Sequence, residues 1–197
     1  MDKRLRIYLT GVGGQGTLTA TTLLSRTVMD AGLDVVSGEI HGMAQRGGVV
    51  ESTVLIGGWQ SPGIYQGEAD IILGFEPLET LRGLSYLAPG GFVLSSTDFV
   101  PPPGVNQGRE CLPDIEDIKA SVTKAAGKAW FLPLQQLGQR AGAMQSGNTA
   151  MLGALCAAGL LPFGPENLRE SVRKYLPPKV VDINLRALEL GVEAVQA

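Results

Sequence analysis

Short apolar runs alternate with amphipathic stretches along the whole chain, and turns rich in Gly and Pro separate them. Ile7, Tyr8 and Leu9, between Arg6 and Thr10, predict a buried strand that ends at Gly11. Residues 15–31 predict a helix. Ala20, Leu24, Val28 and Ala31 recur there at helical spacing on one face, and Gly32 stands where a C-cap glycine belongs. Residues 34–37 predict a second short strand, so the chain opens as a βαβ unit with a glycine turn at its first crossover. Over 49–56, Val50, Ser52, Val54 and Ile56 alternate with Glu51, Thr53 and Leu55. That pattern predicts a half-exposed or edge strand, antiparallel to its neighbours.

Residues 70–75 carry Ile71-Ile72-Leu73 and predict a central strand, after which Glu76-Pro77 opens a helix. Strands follow over 92–96 and 129–132, and helices over 114–126 and 134–141. Pro-rich residues 101–104 predict a stiff loop within the domain. A helix over 148–159 is dense in small residues: Ala150, Gly153, Ala154, Ala157 and Ala158. It predicts close packing on the sheet, with a subunit interface as the alternative. Helices over 166–175 and 180–195 close the chain. The expected fold is a single domain over 1–197, a three-layer α/β/α arrangement with a Rossmann-like, mostly parallel (mixed) sheet.

Hydrophobic content of 44% and charged content of 18% fit a globular chain of 197 residues with a substantial core. Gly, at 27 residues, is in excess and dispersed among turns, which indicates tight loops and close backbone approaches. A net charge of -3 gives no reason to expect nucleic acid or an acidic membrane as partner. No apolar run reaches the roughly 18 residues of a membrane span, and the basic start is followed by too short an apolar run for a signal peptide. A cytoplasmic location is expected. Cys111 and Cys156 are the only cysteines; they are expected as reduced thiols, and no metal site is expected.

Candidate chemistry gathers in two glycine-rich turns. Gly11-Val12-Gly13-Gly14-Gln15-Gly16 places Gly11, Gly13 and Gly16 in G-x-G-x-x-G after a strand and before a helix. Glycines there let backbone N–H groups reach an anion at a helix N-terminus, so the turn is a candidate phosphate cradle. The same spacing serves a tight crossover that only packs helix on sheet. A dinucleotide site also wants an acid about 20 residues on, and Glu39 stands in that range. The second turn is Glu39-Ile40-His41-Gly42-Met43-Ala44-Gln45-Arg46-Gly47-Gly48 and holds the only His. It is expected at the C-terminal edge of the sheet, where open α/β folds bind ligands. Gly42, Gly47 and Gly48 suggest a sharply bent backbone. Arg46 could fork onto a carboxylate or phosphate, and His41 could shuttle a proton or be a packed core residue. Glu76, Ser95, Ser96, Asp98 and Asn148 follow strands or open a helix, as crevice residues or as caps.

Together the two turns resemble the gamma-type domain of 2-oxoacid:ferredoxin oxidoreductases. Ala69-Asp-Ile-Ile-Leu-Gly-Phe-Glu76, Asn148-Thr-Ala-Met-Leu-Gly-Ala154 and residues 184–191 share in the resemblance, which covers nearly the whole chain. The His-Gly-Met-Ala-Gln-Arg-Gly-Gly wording is most similar to the small (beta) subunit of indolepyruvate:ferredoxin oxidoreductases. Pyruvate and 2-oxoglutarate relatives read Ser-Tyr-Gly-Pro where this chain reads Ile-His-Gly-Met. The resemblance implies oxidative decarboxylation of a 2-oxoacid to an acyl-CoA, with ferredoxin as electron acceptor. It implies a large (alpha) partner subunit carrying thiamine diphosphate and [4Fe-4S] clusters, since this chain has no Gly-Asp-Gly thiamine motif and too few cysteines. Glu39, His41, Gly42, Gln45, Arg46, Gly47 and Gly48 would form a partner or active-site turn, with CoA as co-substrate. Alone, the chain would be inactive and could self-associate as a homodimer. The alternatives are a gamma subunit acting on pyruvate, ketoisovalerate or 2-oxoglutarate, a free-standing NAD(P)- or flavin-binding protein, or a module that holds a small anion.

Overall fold

The computed structural model describes residues 4–41, 48–109 and 111–196. Among them, six strands form one sheet: β1 (Leu5–Val12), β2 (Val35–His41), β3 (Val49–Ile56), β4 (Ala69–Gly74), β5 (Leu87–Ser96) and β6 (Lys128–Leu132). Their spatial order is β2-β3-β1-β4-β5-β6. β1, β4, β5 and β6 run parallel, and β3 is antiparallel to both β1 and β2.

The expected alternation of strands and helices in a mixed α/β fold is present, but the opening βαβ unit is interrupted. β3 lies between β1 and β2, pairing from Leu5↔Ile56 to Val12↔Val49 on one side and from Val35↔Ile56 to His41↔Val50 on the other. The antiparallel direction agrees with the alternating pattern; the edge position does not. Val54, Leu55 and Ile56 are all buried, which suits an inner strand. β2 carries exposed Ser37, Glu39 and Ile40 and takes the edge instead.

The helices are α1 (Thr17–Asp30), α2 (Pro77–Gly83), α3 (Pro103–Asn106), α4 (Ile115–Ala125), α5 (Leu134–Ala141), α6 (Gly147–Ala157), α7 (Pro165–Tyr175) and α8 (Pro178–Gln196). Alternate β1 residues face opposite sides: Ile7 and Leu9 enter the larger core beneath α1, α6 and α8, while Tyr8 joins Ile72, Val93, Ile118 and Val122 beneath α2 and α4. The predicted stiff loop over 101–104 gives way to the short helix α3. The small residues of α6 let α8 approach very closely: a Cβ added at Gly191 would lie 1.9 Å from the Ala150 carbonyl oxygen, and one at Gly153 would lie 2.3 Å from that of Leu188. The close packing is therefore helix on helix rather than helix on sheet.

Candidate functional site

Because β1, β4, β5 and β6 are parallel, their C-terminal ends share one edge of the sheet. β2 ends and β3 begins at that edge too. The first glycine turn leaves β1 there. Gly14 and Gly16 have φ of 100° and 82°, left-handed values that favour glycine. Gly13 N–H donates to the Gly48 carbonyl at 2.9 Å, so the first turn is bonded to the last residue of the second. The two motifs are thus joined in space.

Not every residue of the first turn faces outward. Gly11 lies inside β1, which continues to Val12. A Cβ on Gly11 would meet Phe75 Cβ and Thr17 Oγ1, each at 2.9 Å, so its missing side chain serves packing. The Gln15 side chain is consumed as a brace: Oε1 accepts from Val12 N at 2.8 Å and Nε2 donates to the Phe75 carbonyl at 2.9 Å. That brace ties the end of β1 to the end of β4. A Cβ on Gly16 would lie 2.4 Å from Asn148 Nδ2. Gly14 alone stands exposed with open space beside it.

In the second turn, Glu39 pairs with Ser52 within β2 and His41 pairs with Val50 at its end. The predicted roles of Gly42, Gln45, Arg46 and Gly47 lie outside the described residues, as does the side chain of His41.

A cleft of about 160 Å³ opens at this edge, lined by Gly14, Gln15, Phe75, Ser96, Asp98 and Asn148 together with α5 and α6 residues. Three of the predicted crevice residues, Ser96, Asp98 and Asn148, line it. Glu76 and Ser95 do not; they are internal. Glu76 Oε2 accepts from Glu79 N at 2.9 Å and caps α2, and burial pushes its carboxyl above the usual carboxylate range. Ser95 Oγ lies 2.9 Å from Thr80 Oγ1. Asp98 fills both of its expected roles, lining the cleft and capping a helix, but the helix is one distant in sequence. Its Oδ2 accepts from Gln135 N at 2.8 Å and from Ser96 Oγ at 3.1 Å, which caps α5 from a distance. α5 has no cap from its own Pro133, and that was the available signal.

Also unforeseen is a buried polar group beneath β1. Tyr8 Oη donates to Glu51 Oε1 at 2.6 Å and its ring stacks on Tyr86. Burial and the neighbouring carboxylate hold the Tyr8 hydroxyl in its protonated form well above the usual phenol range. Burial also raises the Glu79 carboxyl, against the pull of Arg82.

Among the described residues no group of three or more His, Cys, Asp or Glu could hold a metal ion. Cys111 is exposed, and burial pushes the Cys156 thiol up to about 12. These residues do not fit an iron–sulfur cluster. No described helix is long and apolar enough to cross a membrane.

Comparison with known proteins bears on what such an edge does. Residues 6–194 match the family described as pyruvate ferredoxin/flavodoxin oxidoreductase. The chain is 38% identical over 188 residues to indolepyruvate oxidoreductase subunit IorB of Archaeoglobus fulgidus, covering 95% of this chain and 94% of that one. It is 26% identical over 193 residues to ketoisovalerate oxidoreductase subunit VorA of Methanothermobacter thermautotrophicus, covering 96% of this chain but only 36% of VorA. Its fold matches the crystal structure of pyruvate oxidoreductase subunit PORC from Thermotoga maritima with a TM-score of 0.73 at 21% identity, covering 98% and 97% of the two chains.

Proposed function

Because the chain belongs to the pyruvate ferredoxin/flavodoxin oxidoreductase family, we propose that it is the small subunit of a hetero-oligomeric indolepyruvate (arylpyruvate) ferredoxin oxidoreductase. The carrying observation is the near full-length identity of 38% to an IorB subunit. The complex would decarboxylate a 2-oxoacid oxidatively to an acyl-CoA and pass the electrons to ferredoxin. Thiamine diphosphate and the [4Fe-4S] clusters belong to the large subunit in this reading, since two cysteines cannot supply the four thiolates of a cluster. A cytoplasmic location belongs to the same reading.

In the complex the turn 39–48 packs against the large subunit near its thiamine site. Arg46 orients an anionic group there, the substrate carboxylate or a CoA phosphate, and His41 is a second candidate for the chemistry. The bond from Gly13 N to the Gly48 carbonyl supports treating both turns as one working surface. The phosphate-cradle reading of residues 11–16 has less support. Gly11 and Gln15 are occupied in packing and bracing, and the only charged residue described in the adjoining cleft is the anion Asp98.

Arg46→Ala should leave the complex assembled and cut turnover strongly; unchanged turnover would remove Arg46 from the chemistry. A free-standing NAD(P) or flavin protein is the competing reading, motivated by Gly11, Gly13, Gly16 and Glu39. The purified chain should be colourless and should not bind NADH at micromolar concentration. A yellow preparation or micromolar NADH binding would favour the competitor.

A further inference from the structure

The cleft beside Gly14 opens at the C-terminal ends of β1, β4 and β5, the side of an open α/β sheet that binds ligands. Its walls are chemically selective. Phe75, Val100, Leu134 and Met144 are apolar, and Asp98 is the one charged residue among the described lining. No described cationic side chain lines the cleft, so a carboxylate or phosphate there would meet a like charge with nothing to offset it.

Asp98 is only half used. Its Oδ2 takes both of its side-chain hydrogen bonds, from Gln135 N at 2.8 Å and from Ser96 Oγ at 3.1 Å. Its Oδ1 accepts none among the described residues. A carboxylate oxygen of this kind is an acceptor, so the spare oxygen suits a ligand that brings a donor. The bonds on Oδ2 fix the carboxylate before any ligand arrives, which is how a recognition group is kept in place. The cleft volume of about 160 Å³ is close to the roughly 150 Å³ of an engineered cavity that takes benzene, so it has room for one aromatic group. A neutral, apolar aromatic body bearing a single N–H donor is an indole ring.

We propose that this cleft is the aryl subsite for the 2-oxoacid, with Phe75, Val100 and Leu134 packing on the indole ring and Asp98 Oδ1 accepting its N–H. The assignment rests on the subunit reading above. It adds the residue that separates indolepyruvate from arylpyruvates without a ring N–H. Asp98 is then a specificity-determining residue, and its bond to the start of α5 holds it in position.

The test uses the complex of the full-length chain with its large subunit, purified without oxygen and assayed by viologen reduction with CoA in excess. Indolepyruvate is compared with benzothienylpyruvate, in which sulfur takes the place of the ring N–H. The unmodified complex should favour indolepyruvate in kcat/KM by about tenfold or more. Asp98→Asn keeps an acceptor for Gln135 N and turns an amide donor toward the cleft. The preference should then shrink to about twofold or less, through a raised KM for indolepyruvate. A purely structural role for Asp98 would slow both substrates alike and leave their ratio unchanged. Val100→Phe fills the cleft and should raise KM for both substrates by about tenfold, whatever the fate of the Asp98 variant. Circular dichroism and size-exclusion chromatography check fold and assembly. Equal kcat/KM for the two substrates in the unmodified complex would overturn the proposal, as would an unchanged ratio in an assembled Asp98→Asn complex. So would a raised KM for CoA with the ratio intact, which would assign the cleft to CoA. If the unmodified complex turned over neither arylpyruvate, the substrate reading itself would fall, and the subsite with it.

Discussion

Replacing Gly191 with Ala sets two effects of opposite sign against each other. In a helix interior Ala is favoured over Gly by about 0.8–1.0 kcal/mol, so propensity alone predicts a gain. The new Cβ, however, would lie 1.9 Å from the Ala150 carbonyl oxygen, 2.7 Å from its carbon and 2.9 Å from its Cα. All three are backbone atoms of α6 and cannot rotate away. An ordinary contact needs about 3.5 Å, so α8 must retreat by about 1.5 Å; a gap of 0.5–1 Å already forfeits a quarter to a half of each dispersion well. Ala150, Ala154, Ala187 and Leu188 are fully buried along these two helices, so the loss spreads over the interface. Overpacking by one methyl costs about 1–3 kcal/mol, and contact with rigid backbone places this site at the upper end. The net expectation is a loss of about 1–2 kcal/mol after the propensity gain. For a domain of this size that lowers Tm by about 2–8 °C in a thermal scan followed by circular dichroism. Gly153→Ala strains the same pair of helices, so the double variant should cost less than the two singles combined, because one retreat relieves both. A Gly191→Ala chain with an unchanged or raised Tm would show that the close approach of α6 and α8 is not what Gly191 serves.

Three further outcomes follow from the edge of the sheet. Gln15→Ala removes both hydrogen bonds that tie β1 to β4 and should cost about 1–3 kcal/mol in urea unfolding; a shift below about 0.5 kcal/mol would show that the brace is idle. Asp98→Ala removes the distant cap of α5 and should cost about 0.5–2 kcal/mol, whereas Asp98→Asn, which keeps an acceptor, should recover part of it. A variant as stable as wild type would remove Asp98 from that role. Burial raises the Glu76 carboxyl above the usual range, so the folded chain holds this proton more tightly than the unfolded one. The corresponding stability is fully present below the unfolded value of about 4.3 and is lost as pH rises through the folded value. Glu76→Gln should therefore lose less stability than wild type as urea midpoints are followed upward from about pH 4, with Glu79, raised in the same direction, supplying a residual slope. Parallel pH profiles would contradict the cause assigned to the shift.

Elements set by local pattern were legible in the sequence. The spans of β3 and α5, the left-handed Gly32 after α1, and the Glu76-Pro77 start of α2 all depend on residues within one turn or one strand. The order of β2 and β3 was not legible, because a period of two fixes which residues share a face and not which strand lies beside which. The same limit explains Gly11 and Gln15. G-x-G-x-x-G records that glycines are required, while the steric reason at Gly11 is Phe75, more than sixty positions away. Which helix Asp98 caps was not legible, because α5 begins far along the chain at Leu134. The joining of the two glycine turns through Gly13 and Gly48 was the part of the site most open to sequence reasoning, since both turns follow strands that end at one sheet edge.

The most direct test of the subunit reading is catalytic. The chain and its large subunit are co-expressed, purified without oxygen, and assayed for viologen reduction that depends on both indolepyruvate and CoA. The account predicts a stable complex whose activity needs both chains, with each chain inactive alone. A stable complex active only on another 2-oxoacid would keep the family and discard the substrate; no complex and no activity would contradict the central claim.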